Sequence, residues 1–224
     1  MTPERVVVVL PARDEGPHVA AVVADFHAHG FEVVVVDNDS SDDTAARARE
    51  AGATVVLEPR PGYGSACRSG AEAALASGAG WVLFSDCDGT CRGEDARQMV
   101  EVAGDADLVL GRRAMVAPGA LDWRHRLGNR CLCWLLRIHH GVRVSDVPPL
   151  RAVRAAALRA LELRDPGVGY PVETIARAGR LGLRIREVPV SYHNRAGGES
   201  RVARTMRDAL RVGRTMARCI RSVR

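Results

Sequence analysis

The stretch Val6-Val-Val-Val-Leu-Pro-Ala-Arg-Asp-Glu15 decides the fold, because a short β-branched run gives way to a proline and three charged residues. Comparable apolar runs follow at 32–36, 54–57, 81–84 and 108–110. Segments with helical patterning separate them at 17–29, 41–51, 65–77 and 93–103. Short apolar strands that alternate with helices are typical of a parallel sheet covered on both faces. The first half therefore predicts a Rossmann-like α/β fold, with one open, twisted, mainly parallel sheet flanked by helices.

The second half of the chain is less regular. Its predicted elements are a helix over 121–139, a strand that becomes a helix over 151–162, a helix over 170–181, a strand over 183–190 and an arginine-rich amphipathic helix over 201–223. Pro189 favours an edge position for the last strand, because proline cannot donate to a strand ladder. With no internal repeat and no long linker, we expect residues 1–224 to form one domain.

Composition and charge narrow the class of protein. Apolar residues make up 46% and charged residues 26% of the 224 residues, as in an ordinary globular protein. The formal charge is +5, every basic residue is arginine, and residues 201–224 hold eight arginines against Asp208. This positive end suits an anionic membrane or a phosphate. Nucleic acid is not an expected partner, because no binding motif and no interleaved aromatic residues accompany the arginines.

Cysteine usage and the apolar runs predict a location. The six cysteines lack a C-x-x-C pair, so we interpret them as small buried hydrophobes in a reducing cytosol. The N-terminal segment carries no signal-peptide pattern, and no apolar stretch approaches the ~18 residues of a membrane span. We therefore expect a cytoplasmic protein. The C-terminal helix either docks on the body or attaches peripherally to the inner face of the membrane.

Polar clusters follow each of the first four predicted strands. They are Pro11–Glu15, Asp37–Ser41, Arg60–Gly64 and Asp86–Asp88. In an open α/β sheet, ligands bind beyond the carboxyl ends of the strands. The four clusters therefore predict one ligand site at this edge of the sheet.

The pattern D-x-D occurs three times, and its context differs each time. Asp105 and Asp107 precede a strand, so we expect them at the opposite edge. Asp86 and Asp88 close a buried strand, and residues two apart in an extended chain point the same way. Two such carboxylates can hold Mg²⁺ or Mn²⁺ if phosphate oxygens complete the shell. The competing interpretation is a solvated turn with Asx hydrogen bonds.

Asp37 and Asp39 form the third pair, at the end of the second predicted strand. Ser40 or Ser41 would cap the following helix. The two acids exceed what a cap requires, and we expect them to accept hydrogen bonds from a base N–H or a ribose hydroxyl.

Together these motifs resemble the family 2 glycosyltransferases of the GT-A fold. The resemblance is carried by residues 9–15, 35–44, 62–66 with Arg68 and Gly70, 86–88 and 111–113. It implies that residues 1–113 bind a UDP- or GDP-linked sugar and that 114–200 form the acceptor side. It also implies that Asp88 is the main ligand of Mg²⁺ or Mn²⁺, with Asp86 close to the metal or the ribose. The implied donor-binding residues are Pro11, Ala12, Arg13, Glu15, Asp37, Asp39, Ser40, Gly64, Arg68, Asp86 and Cys87.

Later segments are similar to the dolichyl- or polyprenyl-phosphate sugar synthase branch. They are residues 146–154, 169–173 and 187–195, followed by Gly198, Ser200 and Arg201. Pro148-Pro-Leu150 stands where that branch often has Ser-Gly-Phe, and Arg201 stands where it has lysine. The similarity implies a polyprenyl phosphate acceptor and inversion at the anomeric carbon.

The acceptor determines whether a base is needed. A lipid phosphate is an anion and attacks unaided, with Arg113, Arg151, Arg195, Ser200 and Arg201 as candidate acceptor-binding residues. A hydroxyl acceptor must lose a proton, and Asp146 or Glu173 would then be the base. Arg113 would also stabilise the leaving phosphate. Asp146 as a turn cap and Glu173 as an arginine partner are the structural alternatives.

Three other functions compete with this prediction. A sugar-phosphate nucleotidyltransferase would need a catalytic lysine, which the sequence lacks. A dinucleotide oxidoreductase would need G-x-G-x-x-G after the first strand, which 11–16 do not contain. A non-catalytic protein that binds nucleotide sugars would not need complete acidic sites.

Overall fold

The predicted strands form a single sheet, and the helices between them cover both of its faces. A computed structural model describes residues 4–118, 123–195 and 206–223. The strands are β1 (Val6–Ala12), β2 (Glu32–Asp37), β3 (Thr54–Leu57), β4 (Trp81–Phe84), β5 (Leu108–Val116), β6 (Arg151–Arg154) and β7 (Ile185–Tyr192). The helices are α1 (Gly16–Ala28), α2 (Thr44–Glu50), α3 (Tyr63–Ala76), α4 (Gly93–Glu101), α5 (Trp123–His140), α6 (Ala155–Leu161), α7 (Tyr170–Arg180) and α8 (Met206–Ser222).

The seven strands lie in the order β3-β2-β1-β4-β6-β5-β7. The first four are parallel, β6 is antiparallel to both of its neighbours, and β7 runs parallel to β5. The prediction of a mainly parallel open sheet is therefore confirmed. β7 lies at the sheet edge, as Pro189 predicted.

Register brings the ends of the parallel strands level. Ala12 pairs with Asp37, and Asp37 pairs with Leu57. The ladder with β4 ends at Val9 and Phe84. The loops after β1, β2, β3 and β4 therefore open at the same edge.

β1 extends two residues further than the apolar run indicated, because Pro11 and Ala12 continue the ladder with β2. Pro11 is tolerated in this central strand because β4 ends before it and leaves that side without a ladder partner. α2 begins at Thr44 rather than at the expected residue 41. The side chains of Ser41 and Asp42 instead bind the loop after β1.

The core consists of two apolar clusters, one on each face of the sheet. Gly70 lets α3 lie directly on the sheet, since a Cβ there would come within 2.3 Å of Val9 Cγ1. α8 docks on the body through Cys219 and Ile220, and Val223 directly after it is also buried, while Leu210 in the same helix is 52% exposed. Residues 201–205 of this predicted helix lie outside the described residues.

Five of the six cysteines are buried, as predicted, and Cys131 is exposed. Cys131 lies on the outer face of α5, which the sequence assigned to a helix without indicating which side packs inward. Among the helices that the structure describes, none combines the length and apolar character needed to cross a bilayer.

Candidate active site

The turn after β4 is held in one shape by its own side chains. Asp88 Oδ1 accepts hydrogen bonds from the backbone N–H of Thr90 at 3.1 Å and from the Thr90 hydroxyl at 2.7 Å. Gly89 permits the turn with a φ of +75°. The second oxygen of Asp88 lies 3.7 Å from Nη1 of Arg195. The turn therefore presents one fixed carboxylate at the ligand edge.

Asp86 belongs to a partly buried polar chain that the sequence did not predict. The hydroxyl of Tyr63 donates to Asp86 Oδ1 at 3.3 Å, and Arg151 Nη2 donates to the Tyr63 oxygen at 3.3 Å. Burial and the nearby charge of Asp88 raise the pKa of Asp86 to about 6, although Arg151 and Tyr63 act in the opposite direction. Ionised Asp86 therefore raises the free energy of the folded state unless a cation neutralises its charge.

Arg151 is committed to this chain from the protein side. Arg151 is 1% exposed, and its Nη1 donates to the carbonyl oxygens of Pro148 at 2.9 Å and Pro149 at 3.2 Å. It also lies 5.6 Å from the centre of the Phe84 ring. These contacts turn Arg151 toward Tyr63 and Asp86.

The acidic turn fits a divalent cation that is shared with a ligand. Within the described ranges, no group of three or more His, Cys, Asp or Glu residues could hold a metal without help. Asp86 and Asp88 supply two hard oxygen ligands, and the repulsion between them favours a cation. Mg²⁺ and Mn²⁺ commonly bind one or two carboxylates together with phosphate oxygens. The residues present therefore fit a metal that binds with a diphosphate.

An arginine connects the acidic turn to the loop after β1. Arg195, which follows β7, forms an ion pair with the buried carboxylate of Glu15 and lies beside Asp88. Burial raises the pKa of Glu15, against the lowering effect of Arg195. Three loops that are distant in sequence thus meet at this guanidinium.

The loops after β1 and β2 are tied together by hydrogen bonds. Asp14, at a φ of +49°, donates its N–H to Ser40 Oγ at 2.9 Å and accepts the N–H of Ser41 at 2.6 Å. The N–H of Ser40 donates to Asp37 Oδ1 at 3.2 Å. Asp39, at a φ of +61°, is exposed. Asp37 therefore shapes the loop while Asp39 faces outward.

Asn38 is a second residue that the sequence analysis missed. Its Nδ2 donates to the carbonyl oxygens of Glu58 and Arg60, both at 2.8 Å, and its Oδ1 accepts the N–H of Gly62 at 3.0 Å. The side chain thereby bridges the loops after β2 and β3. Its place between two acids in a turn gave no separate signal for this role.

The other predicted donor residues differ in exposure. Arg13 is exposed, Ala12 and Cys87 are buried, and Pro11 is partly buried. Arg68 lies one turn into α3, after the buried Gly64. A Cβ on Gly64 would lie 2.0 Å from the carbonyl oxygen of Asp165, so this position needs glycine for packing.

The two predicted bases are engaged with other groups. Asp146 is 4% exposed and accepts from Arg113 through its N–H and Nε, each at 2.9 Å, and through Nη2 at 2.6 Å. Arg113 also lies 5.3 Å from the ring centre of Tyr192. The pair joins β5 to the loop before β6.

Glu173, in the first turn of α7, is also 4% exposed. It accepts the backbone N–H groups of Arg164 and Asp165 at 2.8–3.1 Å and Nε of Arg177 at 2.9 Å. The ion pair with Arg177 matches the structural alternative stated for Glu173, whereas Asp146 pairs with Arg113 rather than capping a turn. Gly198, Ser200 and Arg201, predicted on the acceptor side, lie outside the described residues.

The family model described as Glycosyl transferase family 2 matches residues 7–158. An uncharacterized glycosyltransferase of Mycobacterium tuberculosis is 42% identical over 211 residues, which cover 94% of this chain and 95% of the relative. An undecaprenyl-phosphate mannosyltransferase of Micrococcus luteus is 32% identical, with coverage of 77% and 76%.

Among solved structures, the chain is similar to glucosyl-3-phosphoglycerate synthase from Mycobacterium tuberculosis in complex with Mn²⁺, UDP-glucose and phosphoglyceric acid. The TM-score is 0.77 at 24% identity, and the match covers 97% of this chain and 78% of the other. This likeness confirms the predicted GT-A fold.

Proposed function

The chain belongs to glycosyltransferase family 2, and from that premise we propose that it transfers a sugar from a UDP- or GDP-linked donor to a polyprenyl phosphate with Mg²⁺ or Mn²⁺ bound. One observation carries the proposal. Asp86 and Asp88 follow a buried strand at the edge where the loops after β1, β2 and β3 also open, and burial together with the charge of Asp88 raises the pKa of Asp86.

The donor half of the reaction follows from charge. The bond between the anomeric carbon and the β-phosphate oxygen breaks, and the nucleoside diphosphate leaves with the electron pair. A divalent metal would supply charge stabilisation of this leaving group, as a Lewis acid held by Asp86 and Asp88. Arg195 lies beside Asp88 and can donate charge-assisted hydrogen bonds to a phosphate once it releases Glu15.

The acceptor half is supported by what the candidate bases already bind. A general base needs a free lone pair within reach of the proton it removes. Both oxygens of Asp146 accept from Arg113, and Glu173 holds the turn before α7. A phosphate monoester needs no base, because its anionic oxygen attacks the anomeric carbon directly. We therefore propose attack without a protein base and, as the resemblance implies, inversion.

The relatives support the lipid acceptor. Besides the mannosyltransferase from Micrococcus luteus, a dolichyl-phosphate hexose transferase of Haloferax volcanii is 30% identical over 194 residues, which cover 85% of this chain. A lipid acceptor also agrees with the proposed location, in the cytoplasm at the inner face of the membrane. We assign Arg113 to orienting Asp146, and Arg151 to positioning Asp86 rather than to holding the acceptor.

A hydroxyl acceptor on a small molecule is the alternative with the same donor chemistry. The solved glucosyl-3-phosphoglycerate synthase, which was crystallised with phosphoglyceric acid, illustrates such an acceptor on this fold. A non-catalytic protein that binds nucleotide sugars is the alternative of another class. The hydroxyl acceptor predicts a different product, and the non-catalytic protein predicts none.

The test is a transfer assay with radiolabelled UDP-glucose and GDP-mannose and with Mn²⁺. Polyprenyl phosphate in detergent and phosphoglyceric acid are supplied in parallel, and products are separated by extraction into organic solvent. The proposal predicts label in the organic phase, which a chelator abolishes. Label only in the aqueous product would favour the hydroxyl acceptor, and donor binding without turnover on any acceptor would favour the non-catalytic protein.

A further inference from the structure

The outer face of α5 carries an exposed apolar stripe that the proposed chemistry does not use. Trp123, Leu127, Trp134 and Ile138 are 54–66% exposed, and Cys131 between them is exposed as well. At about 100° per residue these five side chains fall within an arc of about 80°. We call this set the α5 stripe.

α5 also packs inward, so its outer stripe is not its docking face. Leu136 is fully buried, and Cys133 and Leu135 are 9% exposed. At about 100° per residue, Leu136 lies opposite the centre of the α5 stripe, Cys133 lies about 120° from that centre and Leu135 about 80° from it. A helix that is apolar on two opposite faces has a second contact to make, because large exposed apolar patches mark interaction sites.

The charges around the stripe identify the partner. α5 contains four exposed arginines and no acidic residue; they are Arg124, Arg126, Arg130 and Arg137. The neighbouring α8 adds exposed arginines at 207, 211, 214, 218 and 221, and its Asp208 is partly buried. Nine exposed guanidinium groups on two packed helices complement an anionic surface.

We propose that the α5 stripe is the surface by which this protein binds an anionic lipid bilayer. Tryptophan favours the membrane interface, where its ring is apolar and its N–H stays hydrated. Arg124 stacks 5.6 Å from the Trp123 ring centre and can extend its charge toward headgroups while its stem stays on the apolar side. Helices with this division of apolar and basic residues lie in the headgroup region.

A second copy of the chain is the competing occupant. A twofold contact through the α5 stripe would set the arginines of one α5 against those of the other, with no acidic residue on either α5. Like charges that face each other across an interface disfavour association. An anionic membrane meets no such repulsion.

The inference deepens the proposed function, because it names the surface through which the enzyme would reach a lipid acceptor. The sequence left two roles open for the helix over 201–223, docking on the body and attachment to the membrane. That helix buries Cys219 and Ile220 in the body. Binding to vesicles requires neither donor nor acceptor, so failure of the membrane surface and failure of the sugar transfer are separate results.

The experiment is flotation of the full chain with vesicles of phosphatidylcholine alone or mixed with phosphatidylglycerol, at low and high salt. The test variant is Trp134→Ser with Ile138→Ser. The control is Leu57→Ser with Leu181→Ser, two residues that are 62% and 52% exposed elsewhere on the surface. Circular dichroism and thermal melting check that each variant is folded, and Trp123→Ser with Leu127→Ser replaces a test variant that is not.

We expect the wild type and the control to bind the anionic vesicles and to lose binding at high salt. The test variant should bind at least about tenfold more weakly, because two large apolar groups no longer leave water. Tryptophan emission of the wild type should shift to the blue on binding, since two of its three tryptophans lie on the α5 stripe.

Three results would overturn the proposal. The first is a wild type that ignores anionic vesicles at low salt, and the second is a test variant that binds as well as the control. The third comes from sedimentation velocity without lipid: a dimeric wild type and a monomeric test variant would assign the α5 stripe to a second copy.

Discussion

Asp86 shows at the level of one residue how a proposed metal site lowers the stability of the metal-free fold. Its carboxyl is held where burial and Asp88 raise the pKa from 3.8 to about 6. A raised carboxyl pKa means that the folded state disfavours the charge. In the metal-free protein this effect is absent below about pH 4, grows as the pH rises to about 6, and persists above it.

The substitution Asp86→Asn should therefore stabilise the metal-free protein at pH 7.5 and leave it unchanged at pH 4. The gain is at most about 3 kcal/mol, from roughly two pKa units at 1.4 kcal/mol each. Thermal unfolding with chelator measures it, and the exposed Asp105→Asn is the control. The same variant should lose stabilisation by Mn²⁺ with UDP. A lower melting temperature at pH 7.5 would contradict this account of Asp86.

Tyr63 is a positioning residue. It accepts a hydrogen bond from Arg151 and donates one to Asp86, so the fixed Arg151 orients Asp86 through it. Tyr63→Phe removes both hydrogen bonds and should raise the pKa of Asp86 further. We expect Mn²⁺ and UDP to bind about 5- to 10-fold more weakly, in line with about 1–1.4 kcal/mol for one hydrogen bond to a charged system. The loss should grow from pH 7.5 to pH 6, as measured by calorimetry.

The control for this variant is Tyr170→Phe, on a buried tyrosine that packs 5.8 Å from the same Phe84 ring. A purely structural role for Tyr63 would lower the melting temperature and leave the pH dependence of binding as in the wild type.

At the level of elements, close approaches between backbones position the site. The start of α3 packs against the 165–166 loop, where the N–H of Ser65 donates to the Pro166 oxygen at 2.9 Å. Gly64→Ala would force a methyl group against the Asp165 oxygen. We expect a loss of about 1–3 kcal/mol in unfolding free energy and weaker donor binding.

Gly128→Ala is the matched control, because nothing lies within 4 Å of a Cβ there and the position is inside α5. It should be neutral or stabilising by up to about 1 kcal/mol. Equal melting temperatures for the two alanine variants would show that the α3 contact is not tight.

The ion pair of Arg113 and Asp146 joins β5 to the loop before β6. Asp146→Asn leaves a largely buried guanidinium without its counter-charge, and we expect about 3–5 kcal/mol of destabilisation. The control is Asp43→Asn, which removes the exposed ion pair of Asp43 with Arg47 and should change the unfolding free energy by less than about 1 kcal/mol. Turnover per folded molecule on polyprenyl phosphate should stay near that of the wild type. A loss of turnover without a loss of stability would instead identify Asp146 as the base.

At the level of the whole molecule, the sequence predicted what depends on periodicity. Every predicted strand and helix that falls on described residues is present. The loops that follow the parallel strands lie at one edge of the sheet, and they carry the polar clusters that come after the apolar runs. Register makes those clusters adjacent, so the pairing of loops follows from strand order. The family resemblance came from the same clusters.

Long-range side-chain contacts could not be read in this way. The chain from Arg151 through Tyr63 to Asp86 joins residues 88 and 23 positions apart, and Asn38 reaches 24 positions to Gly62. The antiparallel direction of β6 also depends on packing. So does the outward face of α5, because helical periodicity does not identify the buried face when apolar residues lie on more than one side of the helix. The roles proposed for Arg113, Arg151, Asp146 and Glu173 differ from the predicted ones because they too depend on long-range side-chain contacts.

The central claim is that Asp86 and Asp88 bind a divalent cation together with the diphosphate of the donor. Isothermal titration of UDP and GDP into wild type, Asp88→Asn and Asp105→Asn, with Mn²⁺ and with chelator, tests it most directly. We predict that wild type and Asp105→Asn bind one nucleotide only with Mn²⁺, and that Asp88→Asn binds it at least about a hundredfold more weakly. Binding of equal strength by Asp88→Asn, or undiminished binding in chelator, would contradict the claim.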